Sequence, residues 1–90
     1  MISNEQLELF RDALLRSLKN ARSTGMNLFT LEIALRSCGF RHFSLDELQG
    51  ELQYFCDKGF AVEILKSHSR AYKIWRITAA GIDDLEQKGL

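Results

Sequence analysis

The sequence predicts one small α+β domain, with a three-helix core, a two- to three-stranded antiparallel hairpin and a short C-terminal helix. Three observations predict it. The stretch from Ser44 to Lys58 has a helix-start signal and apolar residues at every third or fourth position. Two runs rich in β-branched and aromatic residues follow it, separated by a polar, basic segment. Ninety residues suffice for one hydrophobic core and not for two, so 1–90 is assigned to a single domain.

The helix after Ser44 is the most clearly marked element. Ser44 and Glu47 have S-x-x-E spacing, in which the serine caps the helix start and the glutamate bonds back to it. Gly59 supplies a left-handed end. The predicted core stripe comprises Leu45, Leu48, Leu52, Phe55 and Cys56. The predicted outer face comprises Asp46, Glu47, Gln49, Gly50, Glu51, Gln53, Tyr54, Asp57 and Lys58.

The two β-type runs, Phe60 to Leu65 and Ala71 to Ile77, predict a hairpin whose tip is the polar segment 66–70. Strand alternation places Trp75 with Ile77 on one face and Tyr72 with Ile74 on the other. One face must cover the helices. The other either turns inward at a bulge or stays exposed as a partner surface.

An N-terminal helix is predicted from the Ser3 and Gln6 capping pair to about Arg22. Its core face comprises Leu7, Phe10, Leu14, Leu18 and Ala21. The apolar arc is wider than one packing partner needs, because it also includes Leu9, Ala13 and Leu15. Either two elements of the same domain cover this arc, or part of it is a dimer contact.

Two shorter helices complete the predicted order. Residues 26–29 are predicted to be extended, with Thr30 capping a second helix that ends at 38–40. This second helix contains Leu31, Ile33, Ala34 and Leu35. The next helix follows after about five residues, as in a helix-turn-helix. Thr78 caps a final helix whose apolar anchors are Ile82 and Leu85.

Composition excludes several function classes. Hydrophobic residues make up 46% and charged residues 27%, with no apolar run of about 20 residues, so we expect a cytoplasmic chain without a membrane segment. Cys38 and Cys56 each lie on a predicted helix among apolar neighbours, so they are expected to be buried thiols. No zinc site is predicted, because their spacing to His42 and His68 matches no zinc pattern. No catalytic motif is present, so neither an enzyme nor a cofactor or small-molecule substrate is predicted.

The formal net charge of zero conceals an uneven distribution. Residues 1–43 carry +2, residues 44–59 carry −3, residues 60–77 carry +3 and residues 78–90 carry −2. The predicted hairpin is therefore the most basic part of the chain, and the helix before it is acidic.

Two stretches carry a family resemblance. The first is Leu52-x-x-Phe55-x-x-x-Gly59-Phe60-Ala61-Val62, and the second is Arg76-Ile77-Thr78-Ala79-Ala80-Gly81-Ile82-x-x-Leu85. They resemble the winged helix-turn-helix pattern of bacterial MarR- and PadR-type regulators, and the chain is also similar to small winged-helix proteins of Mu-like prophages. The resemblance covers about residues 28 to 88. It implies a DNA-binding transcriptional regulator, of phage or bacterial type and usually dimeric.

We expect double-stranded DNA to be the partner, bound mainly through the basic hairpin. The candidate contact residues are Arg41, His42, Gln49, Gln53, Tyr54, Lys66, His68, Arg70 and Lys73. Cations neutralise phosphates, and glutamine can read an adenine edge. The alternative is a protein–protein interaction module with an acidic third helix and no direct DNA contact, because that helix repels phosphates. Any homodimer would use helix one or the sheet.

Overall fold

The computed structural model describes residues 2–21, 24–65 and 73–90, and in these it is an α+β protein. Four helices and a three-stranded antiparallel sheet follow one another in the predicted order. They are α1 (Asn4–Ala21), β1 (Met26–Asn27), α2 (Leu28–Ser37), α3 (Leu45–Lys58), β2 (Ala61–Leu65), β3 (Ile74–Ile77) and α4 (Ala79–Gln87).

The sheet has the order β1-β3-β2, so the predicted hairpin pairing of β2 with β3 is confirmed. Trp75 and Ile77 are both buried, so they share one face as the strand alternation predicted, and this face is the one that covers the helices. Ile74 is half-buried and Arg76 is exposed on the opposite face. The register shifts between Glu63 and Leu65, which is the irregularity of a β-bulge. Tyr72 and the tip residues of the hairpin lie outside the described residues.

Helix α1 lies at the centre of the core and packs against α2, β3 and α4. Leu15 is buried and Ala13 packs against the core, so elements of the same domain cover this part of the wide apolar arc. Leu9 remains 62% exposed. The core comprises Phe10, Leu14, Leu15, Leu18, Leu28, Leu31, Leu35, Phe43, Leu48, Leu52, Phe55, Ala61, Trp75, Ile77 and Leu85.

The start of α2 differs from the prediction. Asn27, and not Thr30, caps the helix: its side-chain Oδ1 accepts the Thr30 backbone N–H at 2.8 Å. The expectation of an extended segment through Phe29 was therefore wrong, because asparagine is the stronger cap and lies three residues earlier. As a result α2 has an extra turn, and Phe29 and Ile33 lie four residues apart on its exposed side.

A compact junction joins the end of α3 to the start of α4. Gly59 ends α3 with a φ of +80° in the left-handed region, as predicted. The Thr78 hydroxyl donates to the Gly59 carbonyl oxygen at 2.6 Å and accepts the Gly81 N–H at 3.1 Å. The Thr78 backbone N–H donates to the Phe60 carbonyl oxygen at 2.9 Å. The glycines and the threonine of the sequence pattern therefore have structural roles here.

Both cysteines differ from the expectation of buried thiols. Cys38 is exposed because it is the C-cap residue of α2, beyond the face that packs on the core, and Cys56 is only half-buried. In the described ranges, no three histidine, cysteine, aspartate or glutamate side chains are grouped so that they could hold a metal ion. A search of the same residues finds no helix with the length and apolarity to cross a membrane.

Candidate interaction surface

The start of α3 is fixed by hydrogen bonds to Glu47. The predicted capping box is confirmed: the Ser44 hydroxyl accepts the Glu47 N–H at 3.1 Å, and the Glu47 carboxylate accepts the Ser44 N–H at 3.1 Å. The same carboxylate also accepts the Ile2 N–H at 3.2 Å, which ties the N-terminal segment to α3. These hydrogen bonds hold the pKa of Glu47 below its usual value, and the bond from the Ile2 N–H has the largest effect.

We expect Glu47→Gln to reduce the dependence of stability on pH. A carboxylate whose pKa is lowered in the folded state stabilises the fold above the ordinary glutamate value, and that contribution is lost as the pH falls through the lowered folded pKa. Urea unfolding at about pH 6 and about pH 3 should show a smaller acid-induced loss for the variant than for the natural chain. An equal loss in both proteins would contradict this assignment.

Two residues predicted to face outward on α3 face α1 instead. Glu51 accepts three hydrogen bonds from Arg11 of α1, at 3.1 and 3.2 Å from Nε and at 3.0 Å from Nη2. The Arg11 guanidinium lies 4.0 Å from the centre of the Tyr54 ring, and Tyr54 packs against the core. Tyr54 is therefore engaged within the fold, and Glu51 does not add a free charge to the outer face. The prediction that Glu51 and Tyr54 face solvent was wrong, because the helical period of α3 alone does not show that α1 lies along this side of α3.

The side of α3 that faces solvent is narrower than predicted. Asp46, Gly50, Gln53 and Asp57 are exposed, and their spacing of four, three and four residues places them on one stripe. We call these four residues the outer stripe. Gln49 lies half-buried beside it. The Gln53 amide donates to the Asp57 carboxylate at 3.0 Å, so one of the two glutamines proposed to read bases is bonded to a neighbouring acid.

Arg41 and His42, predicted to contact DNA, are both exposed in the turn before α3. This turn is held by Arg36, which donates to the Arg41 carbonyl oxygen at 3.1 Å and lies 4.4 Å from the centre of the Phe43 ring. Phe43 and Phe40 in turn meet the ring of Phe10 edge-on, at centroid distances of 5.2 and 5.3 Å. The core thus positions the two basic side chains next to the start of α3.

The predicted basic group of the hairpin is only partly described. Lys66, His68 and Arg70 lie outside the described residues. Lys73 is half-buried, and its Nζ lies 3.8 Å from the Glu63 carboxylate across the hairpin. Its charge is therefore partly neutralised. Arg76 is exposed, and no described carboxylate lies within ion-pair distance of it.

Other described cations are also paired with carboxylates. Arg36 binds Glu32 at 3.0 Å within α2. Lys88, just after α4, binds Asp12 of α1 at 3.1 Å and Asp84 at 3.4 Å, which raises the pKa of Lys88. Together with Arg11, these cations hold helices in place.

A groove between α3 and β2 lies beside the outer stripe. Its lining residues are Gln53, Cys56, Ala61, Val62 and Glu63. Burial raises the pKa of the Cys56 thiol, and the nearby carboxylates of Glu63 and Asp57 raise it further. Val62 was not selected from the sequence as a surface residue. The alternation along β2, with Ala61 buried and Val62 exposed, is the signal that identifies it.

The chain was compared with protein-family models, with curated proteins and with solved structures, and no comparison gives a match. The fold and this surface are therefore the basis for the proposed function.

Proposed function

We propose that the chain is a winged-helix protein-interaction module whose outer stripe on α3 docks a basic surface of a partner protein. The winged-helix assignment is supported by the order of the elements, by the short β1 that pairs with β3, and by the β2–β3 hairpin directly after α3. The absence of any catalytic grouping in the sequence favours a binding role.

The composition of the outer stripe is the observation that carries the proposal. It contains the carboxylates of Asp46 and Asp57, the amide of Gln53, and no basic side chain. Lys58, the cation on α3, is exposed but points about 100° round the helix from Asp57, and its Nζ lies 5.7 Å from the centre of the Tyr54 ring. Most of the free energy of DNA binding comes from cations that neutralise phosphates. An acidic stripe is repelled by a DNA groove and attracted by a basic protein surface.

The charge of the stripe provides the test. A short lysine homopolymer serves as the basic probe, and we expect it to bind more weakly at about 200 mM than at about 50 mM salt. Reversing the stripe with Asp46→Lys and Asp57→Lys should weaken binding by about tenfold or more. The matched control, Asp83→Lys with Glu86→Lys on α4, makes the same change in net charge elsewhere. Equal losses in the two variants would contradict a specific role for the stripe.

A second candidate is DNA binding through the turn and the hairpin, as in a transcriptional regulator of phage or bacterial type. Arg41, His42 and Arg76 are exposed, and residues 60–77 carry a net charge of +3. In this mode the hairpin and the turn before α3 contact phosphates, while α3 stays out of the groove.

The same titration separates the two candidates when duplex DNA replaces the lysine homopolymer. In one outcome, DNA binding is lost in the double variant Lys66→Ala, Arg70→Ala and retained when Asp46 and Asp57 are changed to lysine. That result would replace the first proposal with the second. Absence of DNA binding at low salt supports the protein-interaction role.

A further inference from the structure

We infer that the protein partner includes a second copy of this chain, bound across the surface that runs from Asp57 over Val62 and Ile64 to Arg76. We call these four residues the β2 surface. This inference rests on the proposed protein-interaction role and specifies one partner for it. The contact is a two-fold symmetric one, in which each copy contributes the same residues.

The centre of the β2 surface is apolar and exposed. Val62 is 38% exposed and Ile64 is 40% exposed, on the face of the sheet opposite the buried Trp75. Ile64 and Ile74 meet above Gly25, where an added Cβ would lie 2.7 Å from the Ile74 side chain and 3.2 Å from that of Ile64. Ile64 and Ile74 are therefore neighbours on this face, and Val62 lies on the same face two residues before Ile64. Strand β2 is also an edge of the sheet, which is where natural sheets need protection from other chains.

Opposite charges lie on the two sides of this patch. Arg76 is the cross-strand neighbour of Val62, so both side chains are on the same face of the sheet. On the other side, Val62 and Gln53 line the groove between β2 and α3, and Gln53 is bonded to Asp57. The surface therefore changes in order from an acid, through apolar side chains, to a base.

This order makes the surface complementary to itself. A two-fold axis through the patch places Val62 and Ile64 against the same residues of the second copy. It also places Asp57 of each copy opposite Arg76 of the other. Phe29 and Ile33, the exposed apolar pair on α2, are not self-complementary in this way, because the adjacent Arg36 and Glu32 side chains are bonded to each other. The apolar area is small, so we expect a weak dimer with a dissociation constant on the order of 100 µM.

A charge swap tests the arrangement. Asp57→Arg alone places like charges at both contacts of the dimer, and so does Arg76→Asp alone. In sedimentation equilibrium, the dimer of each variant should have a dissociation constant at least about tenfold higher than that of the natural chain. When the two variants are mixed, each arginine faces an aspartate, and the mixture should associate within about threefold of the natural affinity. Arg16→Asp, an exposed change on α1, serves as the control and should associate like the natural chain.

Three results would overturn the inference. The first is that the natural chain stays monomeric at millimolar concentration. The second is that the single variants associate like the natural chain. The third is that the mixture fails to associate although circular dichroism shows both variants to be folded. The proposed function has a separate readout. Salt-sensitive, stripe-dependent binding of the lysine homopolymer by a monomeric chain would preserve the interaction role while removing the second copy as partner.

Discussion

Replacing Phe10 by alanine is expected to lower the free energy of unfolding by about 4 kcal/mol, which for a domain of this size lowers the melting temperature by about 20 °C. Phe10 is fully buried on α1, and its ring meets Phe40 and Phe43 edge-on. Truncation removes the ring from the core and leaves a cavity beneath the turn that precedes α3. Trp75, the single tryptophan, is buried, so its fluorescence reports the unfolding transition.

The neighbouring residue provides a matched control for Phe10. Leu9 is on the same helix but is 62% exposed, so Leu9→Ala should change the free energy of unfolding by less than about 0.5 kcal/mol. Similar losses for Phe10→Ala and Leu9→Ala would mean that α1 does not pack as described. Because Phe10 supports the turn, a Phe10→Leu variant that remains folded should also broaden the amide NMR signals of Arg41 and His42.

Gly81→Ala is expected to destabilise the fold by at least about 2 kcal/mol, although alanine is the better helix former. An added Cβ would overlap the carbonyl oxygen of Phe60 and lie 2.8 Å from Cγ1 of Ile77. That carbonyl oxygen accepts the Thr78 N–H, so the strain would fall on the junction that fixes α4. Urea unfolding monitored by fluorescence measures the loss.

Gly50→Ala is the control of opposite sign. Gly50 is inside α3 with nothing within 4 Å of an added Cβ, so alanine should stabilise the fold by about 0.5–1 kcal/mol. If Gly81→Ala also proved stabilising, the close packing of α4 on Phe60 would be wrong.

The features that the sequence predicted well depend on residues close together in the chain. The Ser44 and Glu47 capping box, the left-handed Gly59 and the Thr78 cap were all confirmed, because each needs contacts over only a few residues. The placement of Trp75 and Ile77 on one face followed from alternation along one strand, and both are buried.

The features that the sequence did not predict depend on distant partners. Glu51 and Tyr54 were assigned to the outer face of α3, but Arg11 lies 40 residues before Glu51 and binds it. The pairing of Lys88 with Asp12, 76 residues apart, has no local signal either. For the candidate site, this means that the residue types on α3 were predictable, whereas the identity of the exposed stripe required the position of α1.

The most direct test of the protein-interaction role is an amide NMR titration of the labelled chain with the lysine homopolymer and, separately, with duplex DNA. The role assigned to α3 predicts that the lysine homopolymer shifts the signals of Asp46, Gly50, Gln53 and Asp57, and that DNA leaves these four signals unchanged. A DNA titration that shifts the four signals, with no response to the lysine homopolymer, would contradict it.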